Sequence, residues 1–274
     1  MIPPIEVVPG GVREVVAGLG REFARFDSRT QDSGHVSYGV VDADGRRWFV
    51  KTSGNDTPSA GGASRDERVR ALARSAEVTH AVAHPALIPV ERMLRADDGI
   101  ALVTAWFPGE LLRSPADRRE DPEEAGNRFA RLPADEVATA LDQVIDLHVQ
   151  LDSAGWLAGD LYDGCLMYDF ASRAFTVMDF ECYRRGSYVN TVGRLHGSTR
   201  FMAPEEFELG ATIDARTTVF TLGRMIELFL LRGHPDDPVR EVAALATRPD
   251  PRERPASLAG LQQLWRAARR TTGA

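Results

Sequence analysis

With 274 residues, 43% of them apolar and 27% charged, the chain can bury one sizeable core or two smaller ones. A net charge of −7 and an acidic pI argue against a nucleic-acid or acidic-membrane surface, which needs an exposed basic stripe. No apolar run approaches the roughly 18 to 20 residues that span a bilayer, and the opening MIPPIEVVPGG lacks the basic and apolar regions of a leader, so no membrane partner and a cytoplasmic location are expected.

In chain order, HVSYGVVDADGRRWFVKTS reads as two β-rich runs turned by Asp-Ala-Asp-Gly, the second strand being Arg47 to Thr52 with Lys51 at its end. From Asn55 to Ser64 the composition is that of a loop. Asp66 to Val82 then carries helical periodicity through Val69, Leu72, Ala73, Ala76 and Val82. LIPVERML and IALVTAWF predict two more strands turned at Asp97-Asp98-Gly99, and Pro108-Gly109 marks a boundary. The polar stretch Arg113 to Asn127 predicts a solvated excursion, RREDPEE included. Helices resume near Pro133, with Val137, Leu141, Val144 and Ile145 on one face that His148 continues. Short strands around Cys165 to Tyr168 and Phe175 to Met178 follow, then a long connection to Arg200 and helical stripes at Thr217 to Leu231, Val239 to Ala246 and Leu258 to Ala268. The pattern predicts an α+β chain, β-rich over 1–106 and mainly helical over 107–274, with the change near Trp106. The two cysteines, Cys165 and Cys182, predict reduced thiols, His80, His84 and His148 lack metal spacing and read as core or surface histidines rather than ligands, and Trp156 and Trp265 read as core.

Among 33 basic residues Lys51 is the single lysine. In a chain that otherwise uses arginine, a lone lysine marks a place where a compact ammonium serves better than a planar guanidinium. Two further segments carry acids at strand-like boundaries: GDLYDGCLMYDF opens with Asp160, and FTVMDFECY delivers Asp179, followed by Phe180 and Glu181. Phosphoryl transfer needs such a cation on the nucleotide phosphates, an acidic metal ligand, and an acid that orients the attacking hydroxyl.

These segments, with GSTRFMAPEEF at Gly197 to Phe207, TTVFTLGRMIE after it and RERPA near the end, resemble the bacterial members of the serine/threonine protein kinase family from about Gly34 to Leu264. The resemblance implies a bilobal protein-kinase-like fold with a β-rich N-lobe and a mainly α-helical C-lobe. It implies an ATP-dependent transfer of phosphate to a protein hydroxyl, with Mg2+ or Mn2+ as the metal. Position by position, it gives Lys51 to the α and β phosphates, Asp160 to the catalytic loop and Asp179 to the metal. Gly34 and Gly39 would cover the phosphates, Thr104 would be the gatekeeper with Trp106 at the hinge, and Arg254 would pair with Glu205.

Departures from the family pattern are numerous. DSGHVSYG keeps only two glycines of the phosphate loop, and Ser75 stands at the helix position of the lysine's acidic partner, with Glu77 and Glu67 nearby. Ala158 and Gly159 replace the catalytic-loop histidine and arginine, and Tyr162 replaces a phosphate-contacting lysine. Cys165 stands where an asparagine metal ligand is usual, and a thiol suits magnesium poorly. Thr218 replaces a buried aspartate, and Glu181 replaces a glycine. Glu181 is read either as a solvated charge or as the substitute metal ligand, with Asp163 a second candidate for that task. Three functions therefore compete: a serine/threonine kinase, a pseudokinase acting as scaffold or regulator, and a small-molecule phosphotransferase.

Overall fold

Alternating apolar residues in the first hundred positions form a mixed six-stranded sheet, in a computed structural model that describes residues 2–27, 33–54 and 63–271. The contacts divide the chain into two units: Met1–Ala83 with Ile88–Pro108, and His84–Leu87 with Gly109–Ala274. The class is α+β. Among the described residues no helix is long and apolar enough to cross a membrane. Most of the loop expected over Asn55 to Ser64 lies outside the described residues.

The first unit runs β1 (Ile5–Val7), α1 (Val12–Leu19), β2 (Arg21–Phe26), β3 (Val36–Val41), β4 (Arg47–Thr52), α2 (Arg65–Thr79), β5 (Val90–Ala96) and β6 (Gly99–Ala105). Its strands are ordered β1-β5-β6-β4-β3-β2, and β1 alone pairs in parallel, with β5. The β3–β4 turn is tied by Asp42, whose carboxylate accepts from the Asp44 and Arg46 amides at 3.0 and 2.9 Å and from Trp48 Nε1 at 2.7 Å. Gly45, at φ 81°, supplies the left-handed residue this turn requires. One sheet face buries Tyr38, Val40, Val50, Leu94, Ala101 and Val103 against Val16 of α1. The opposite face buries Val90, Met93, Ile100 and Leu102 against Leu72 and Ala76 of α2.

Helix α2 begins at a capping box, in which Ser64 Oγ accepts from the Glu67 amide at 3.3 Å and Glu67 Oε2 accepts from the Ser64 amide at 2.7 Å. It stops at Thr79, short of the expected Val82. The elements β1, α1 and β2 were not expected. Helix α1 is held by carboxylates from the β5–β6 turn: Asp98 Oδ1 accepts from the Val12 amide at 2.6 Å and Asp97 Oδ2 from the Gly10 amide at 3.1 Å. Locally only Glu14 contributes, its Oε2 accepting from the Gly11 amide at 3.1 Å, and the caps supplied from Asp97 and Asp98 leave no signature nearby in the sequence.

The second unit comprises β7 (Glu110–Leu111), α3 (Ala125–Ala130), α4 (Ala134–Ser153), β8 (Trp156–Leu157), β9 (Leu166–Asp169), β10 (Ala174–Val177), β11 (Arg184–Arg185), β12 (Tyr188–Val189), β13 (Thr212–Ile213), α5 (Ala215–Met225), α6 (Arg240–Ala246) and α7 (Leu258–Thr271). Helix α5 continues as a π-helical stretch, Ile226–Leu231. Strand β9 lies between β7 and β10, β8 pairs with β11, and β12 pairs with β13. His84–Leu87 belongs here because Ala86 O accepts from the Val177 amide at 2.8 Å and from Thr176 Oγ1 at 3.1 Å. The excursion expected over Arg113 to Asn127 is solvated only in part. Asn127 is buried, with Nδ2 donating to the Arg119 and Asp121 carbonyls at 2.8 and 2.6 Å and Oδ1 accepting from Arg232 Nη1 at 2.6 Å.

Candidate functional site

In the first unit Lys51 lies on β4 opposite Ser37 of β3 and Leu102 of β6, and two residues before it Phe49 lies opposite Gly39 and Thr104. Side chains two apart on a strand share a face. Lys51, Phe49, Gly39 and Thr104 therefore occupy the α2 side of the sheet, the side that carries Leu102. Thr104 Oγ1 reaches Phe49 O at 3.5 Å. Trp106 meets Phe23 edge-on at 4.8 Å between ring centroids and Phe49 at 6.3 Å, and the Arg47 guanidinium lies 4.1 Å over the Phe23 ring.

Gly39 is buried inside β3, and a Cβ there would stand 2.7 Å from the Phe23 ring and 2.9 Å from Trp106. The missing side chain thus makes room for two aromatic rings, a packing reason that the spacing of glycines did not reveal. Gly34, at φ 77°, passes its carbonyl oxygen 2.2 Å from where a Cβ on Gly54 would be. The two glycines pack the loop ends together. Glu67 is engaged in the capping box, and Ser75 is buried in α2.

In the second unit Asp160 follows β8 after Ala158 and Gly159, and Asp179 follows β10 after Met178. Their φ values are 53° and 72°. The only other described non-glycine residue in this region is Arg173, in the β9–β10 turn. Such backbone costs on the order of 1 to 3 kcal/mol per residue and persists where its surroundings enforce it. Beside Asp160 the chain is tightly packed: a Cβ on Gly159 would lie 2.3 Å from the Cys182 carbonyl oxygen. No arginine fits at 159 on this backbone.

Both aspartates act electrostatically on Cys165. Its Sγ donates to the Asp160 carbonyl at 3.2 Å, while its own carbonyl accepts from the Met178 amide at 2.8 Å. Burial first, then the Asp179 and Asp160 charges, raise the thiol well above its ordinary value. Cys165 is thus a neutral thiol that ties the two acid-bearing segments together. Asp163 is paired instead with Arg200, whose Nη1 donates to Oδ2 at 2.7 Å, although burial still pushes its carboxyl up. That counter-charge makes it a poor candidate for a metal. Glu181 is 9% exposed, which removes the reading of a solvated charge. Among the described residues no group of three or more His, Cys, Asp or Glu side chains is placed to hold a metal ion.

Phe180 packs edge-on against Tyr183 at 5.1 Å, and Tyr183 reaches His148 of α4. His148 Nδ1 must donate to the Val144 carbonyl at 2.7 Å, since a carbonyl only accepts, so Nε2 accepts from the Tyr183 hydroxyl at 2.8 Å. Burial lowers His148 to about 4. The unfolded chain therefore takes up a proton near pH 6.5 that the folded chain refuses until about pH 4, so stability is present above pH 6.5 and lost as pH falls through this window. The loss should reach about 3 kcal/mol. Urea unfolding at pH 7.5 and 4.5 should show it in the parent and much less in His148→Gln. An equal slope in both would assign the acid sensitivity elsewhere.

Beneath the 197–207 segment, Arg254 Nη1 and Nη2 donate to Glu205 Oε1 and Oε2 at 2.7 and 2.9 Å, and Thr217 Oγ1 adds a bond to Oε1 at 2.8 Å. The expected Glu205–Arg254 pair is thus present and buried. The next residue, Glu206, was not singled out in the sequence. It lines a small pocket with Asp160, Gly197, Met202 and Thr218. Its Oε2 accepts from the Ala203 amide at 2.7 Å. Burial, reinforced by Glu205 and Asp160, pushes its carboxyl up to about 7 against the pull of that amide and of Arg254.

Comparison with models of protein families gives no match to this chain, and comparison with curated proteins gives none either.

Proposed function

We propose that the chain is an ATP-dependent phosphotransferase of the serine/threonine protein kinase type, with a bilobal kinase-like fold, transferring the γ-phosphate of ATP to a protein hydroxyl. The observation that carries this reading is the pair Asp160 and Asp179, both in left-handed backbone after a strand and both acting on the buried Cys165. In it Lys51 supplies the ammonium for the nucleotide phosphates, with Gly34, Thr104 and Trp106 toward the nucleotide. Asp160 orients the acceptor hydroxyl and takes its proton.

The donor chemistry fits magnesium or manganese brought by the nucleotide, because a hard cation accepts one or two carboxylates plus phosphate oxygens and needs no all-protein cage. Asp179 and Glu181 would hold it, and the neutral Cys165 would not. When bound, such a cation neutralises charge on the phosphates. The anchored Glu205 holds the 197–207 segment as a platform for a protein acceptor, which favours a protein over a small molecule as substrate.

The second reading is a scaffold that binds nucleotide weakly or not at all. Two observations favour it: Cys165 donates to the Asp160 carbonyl rather than serving as a metal ligand, and rings cover Gly39. Nucleotide titration with and without magnesium or manganese, followed by a transfer assay, separates the two. Lys51→Arg is expected to weaken binding or turnover at unchanged charge, because a planar fork does not replace a point charge. Asp179→Asn should abolish the metal dependence of binding in a folded protein, and Glu181→Gln should shift metal affinity. Binding without transfer would favour the scaffold, and equal activity of Lys51→Arg would remove the argument from the lone lysine.

A further inference from the structure

The pocket beside Asp160 is lined by a threonine whose buried hydroxyl has no protein partner among the described residues. Thr218 of α5 is 2% exposed, and its Oγ1 is buried without a protein partner among the described residues. The other two threonines of the same pocket are satisfied: Thr217 Oγ1 donates to Glu205 Oε1 at 2.8 Å and Thr221 Oγ1 to the Phe201 carbonyl at 3.2 Å. A buried hydroxyl left unpaired costs roughly 1 to 3 kcal/mol and calls for a partner.

The carboxyl groups supply complementary chemistry. Glu206 is 7% exposed and uses Oε2 on the Ala203 amide, while Oε1 receives no protein donor among the described residues. Asp160 turns its carboxyl to the same corner, since a Cβ on Gly197 would lie 3.7 Å from Asp160 Oδ1 and 2.9 Å from Met202 Cγ. The pocket has room for a water-sized guest, and a guest of that size needs two to four polar partners.

We propose that this pocket is a binding site for one water molecule, which accepts from the Thr218 hydroxyl and donates to the Glu206 and Asp160 carboxylates, so that Thr218 and Glu206 are positioning residues for Asp160. The positioning role rests on the reading of Asp160 as the group that orients the acceptor hydroxyl. The water site itself does not. Through it helix α5 fixes the Asp160 carboxyl by a neutral bridge.

The test uses the full chain and reads the carboxyl of Glu206 directly. Three charged groups act on it, Asp160 of the loop after β8, Glu205 on its own turn and Arg254, while Tyr188 of β12, which Glu206 itself helps to raise, stays neutral where Glu206 titrates. With 13C-carboxyl-labelled glutamate and Glu206→Gln for assignment, the Glu206 midpoint is measured in the parent, Thr218→Ser and Thr218→Val. Losing the hydroxyl that fixes the bridging water withdraws a donor from the carboxylate, so Thr218→Val should raise the midpoint by on the order of one unit while Thr218→Ser leaves it in place. A crystal structure of the parent that resolves ordered water should show one within hydrogen-bond distance of Thr218 Oγ1 and Glu206. A dry pocket, or a midpoint that does not move in folded Thr218→Val, overturns the water site. In the transfer assay Thr218→Val should lower kcat several-fold at unchanged KM for ATP, and unchanged kcat overturns the positioning role. A parent that transfers nothing while the midpoint still moves would leave the water site standing and defeat the kinase reading alone.

Discussion

Arg254→Ala is expected to destabilise the protein by about 3 to 5 kcal/mol, because it strands a buried carboxylate. Glu205 is 6% exposed in its side chain and Arg254 0%, so neither charge can turn to water when its partner is removed. The two truncations are not equivalent. Without Glu205 the guanidinium still donates to the carbonyls of Arg248, Arg216 and Pro249 at 2.6, 3.0 and 2.9 Å and lies 4.8 Å over the Phe220 ring. Without Arg254 the carboxylate keeps the bond from the Thr217 hydroxyl, and those three carbonyls each lose a bond. Arg254→Ala should therefore cost more than Glu205→Ala. Urea midpoints at pH 7.5 measure both, and a double-mutant cycle isolates the pair. If both variants unfold at the parent midpoint, the pair does not anchor the 197–207 segment.

What could be read in the sequence was whatever local chemistry dictates. The hairpin over 36–52 announces itself through Asp42 and Gly45, which make the turn between two β-rich runs. Helix α4 is legible in the spacing of Val137, Leu141 and Val144, all buried. The chain start was opaque because β1 has three residues, all exposed, and α1 takes two of its caps from Asp97 and Asp98, far along the chain, beside the local one from Glu14. Asp160 and Asp179 could be picked out as acids at strand ends, while their left-handed backbone could not, since nothing in the residue types of these segments specifies it. Gly39 and Glu181 show the limit of reading residue types alone. A glycine within a glycine-poor loop can equally be a seat for aromatic rings, and a charge beside another acid can be buried. Glu206 was invisible because its setting depends on α5, the 197–207 segment and the loop after β8 meeting at one pocket.

Asp160→Asn is expected to lower phosphate transfer by roughly 10²- to 10⁴-fold, the range for loss of a positioned proton acceptor, while leaving the fold intact. The choice of asparagine follows from the backbone. At φ 53° a residue with a short polar side chain tolerates the left-handed region, whereas alanine would add strain to the loss of function. The hydrogen bond from Cys165 survives, because its acceptor is the main-chain carbonyl and not the carboxylate. Asparagine does remove a negative charge that helps hold the Cys165 thiol and the Glu206 carboxyl up, so the Glu206 midpoint should fall below about 7 in this variant. That shift reports, without reference to transfer, that the Asp160 charge acts on the pocket it lines. Urea unfolding, the Glu206 titration and a transfer assay on one preparation keep the three effects apart. Transfer at the parent rate in a folded Asp160→Asn chain would take the acceptor-orienting role away from this residue. If instead the parent transfers no phosphate with magnesium or manganese, the Asp160 carboxylate serves the architecture of its loop and the chain acts as a scaffold.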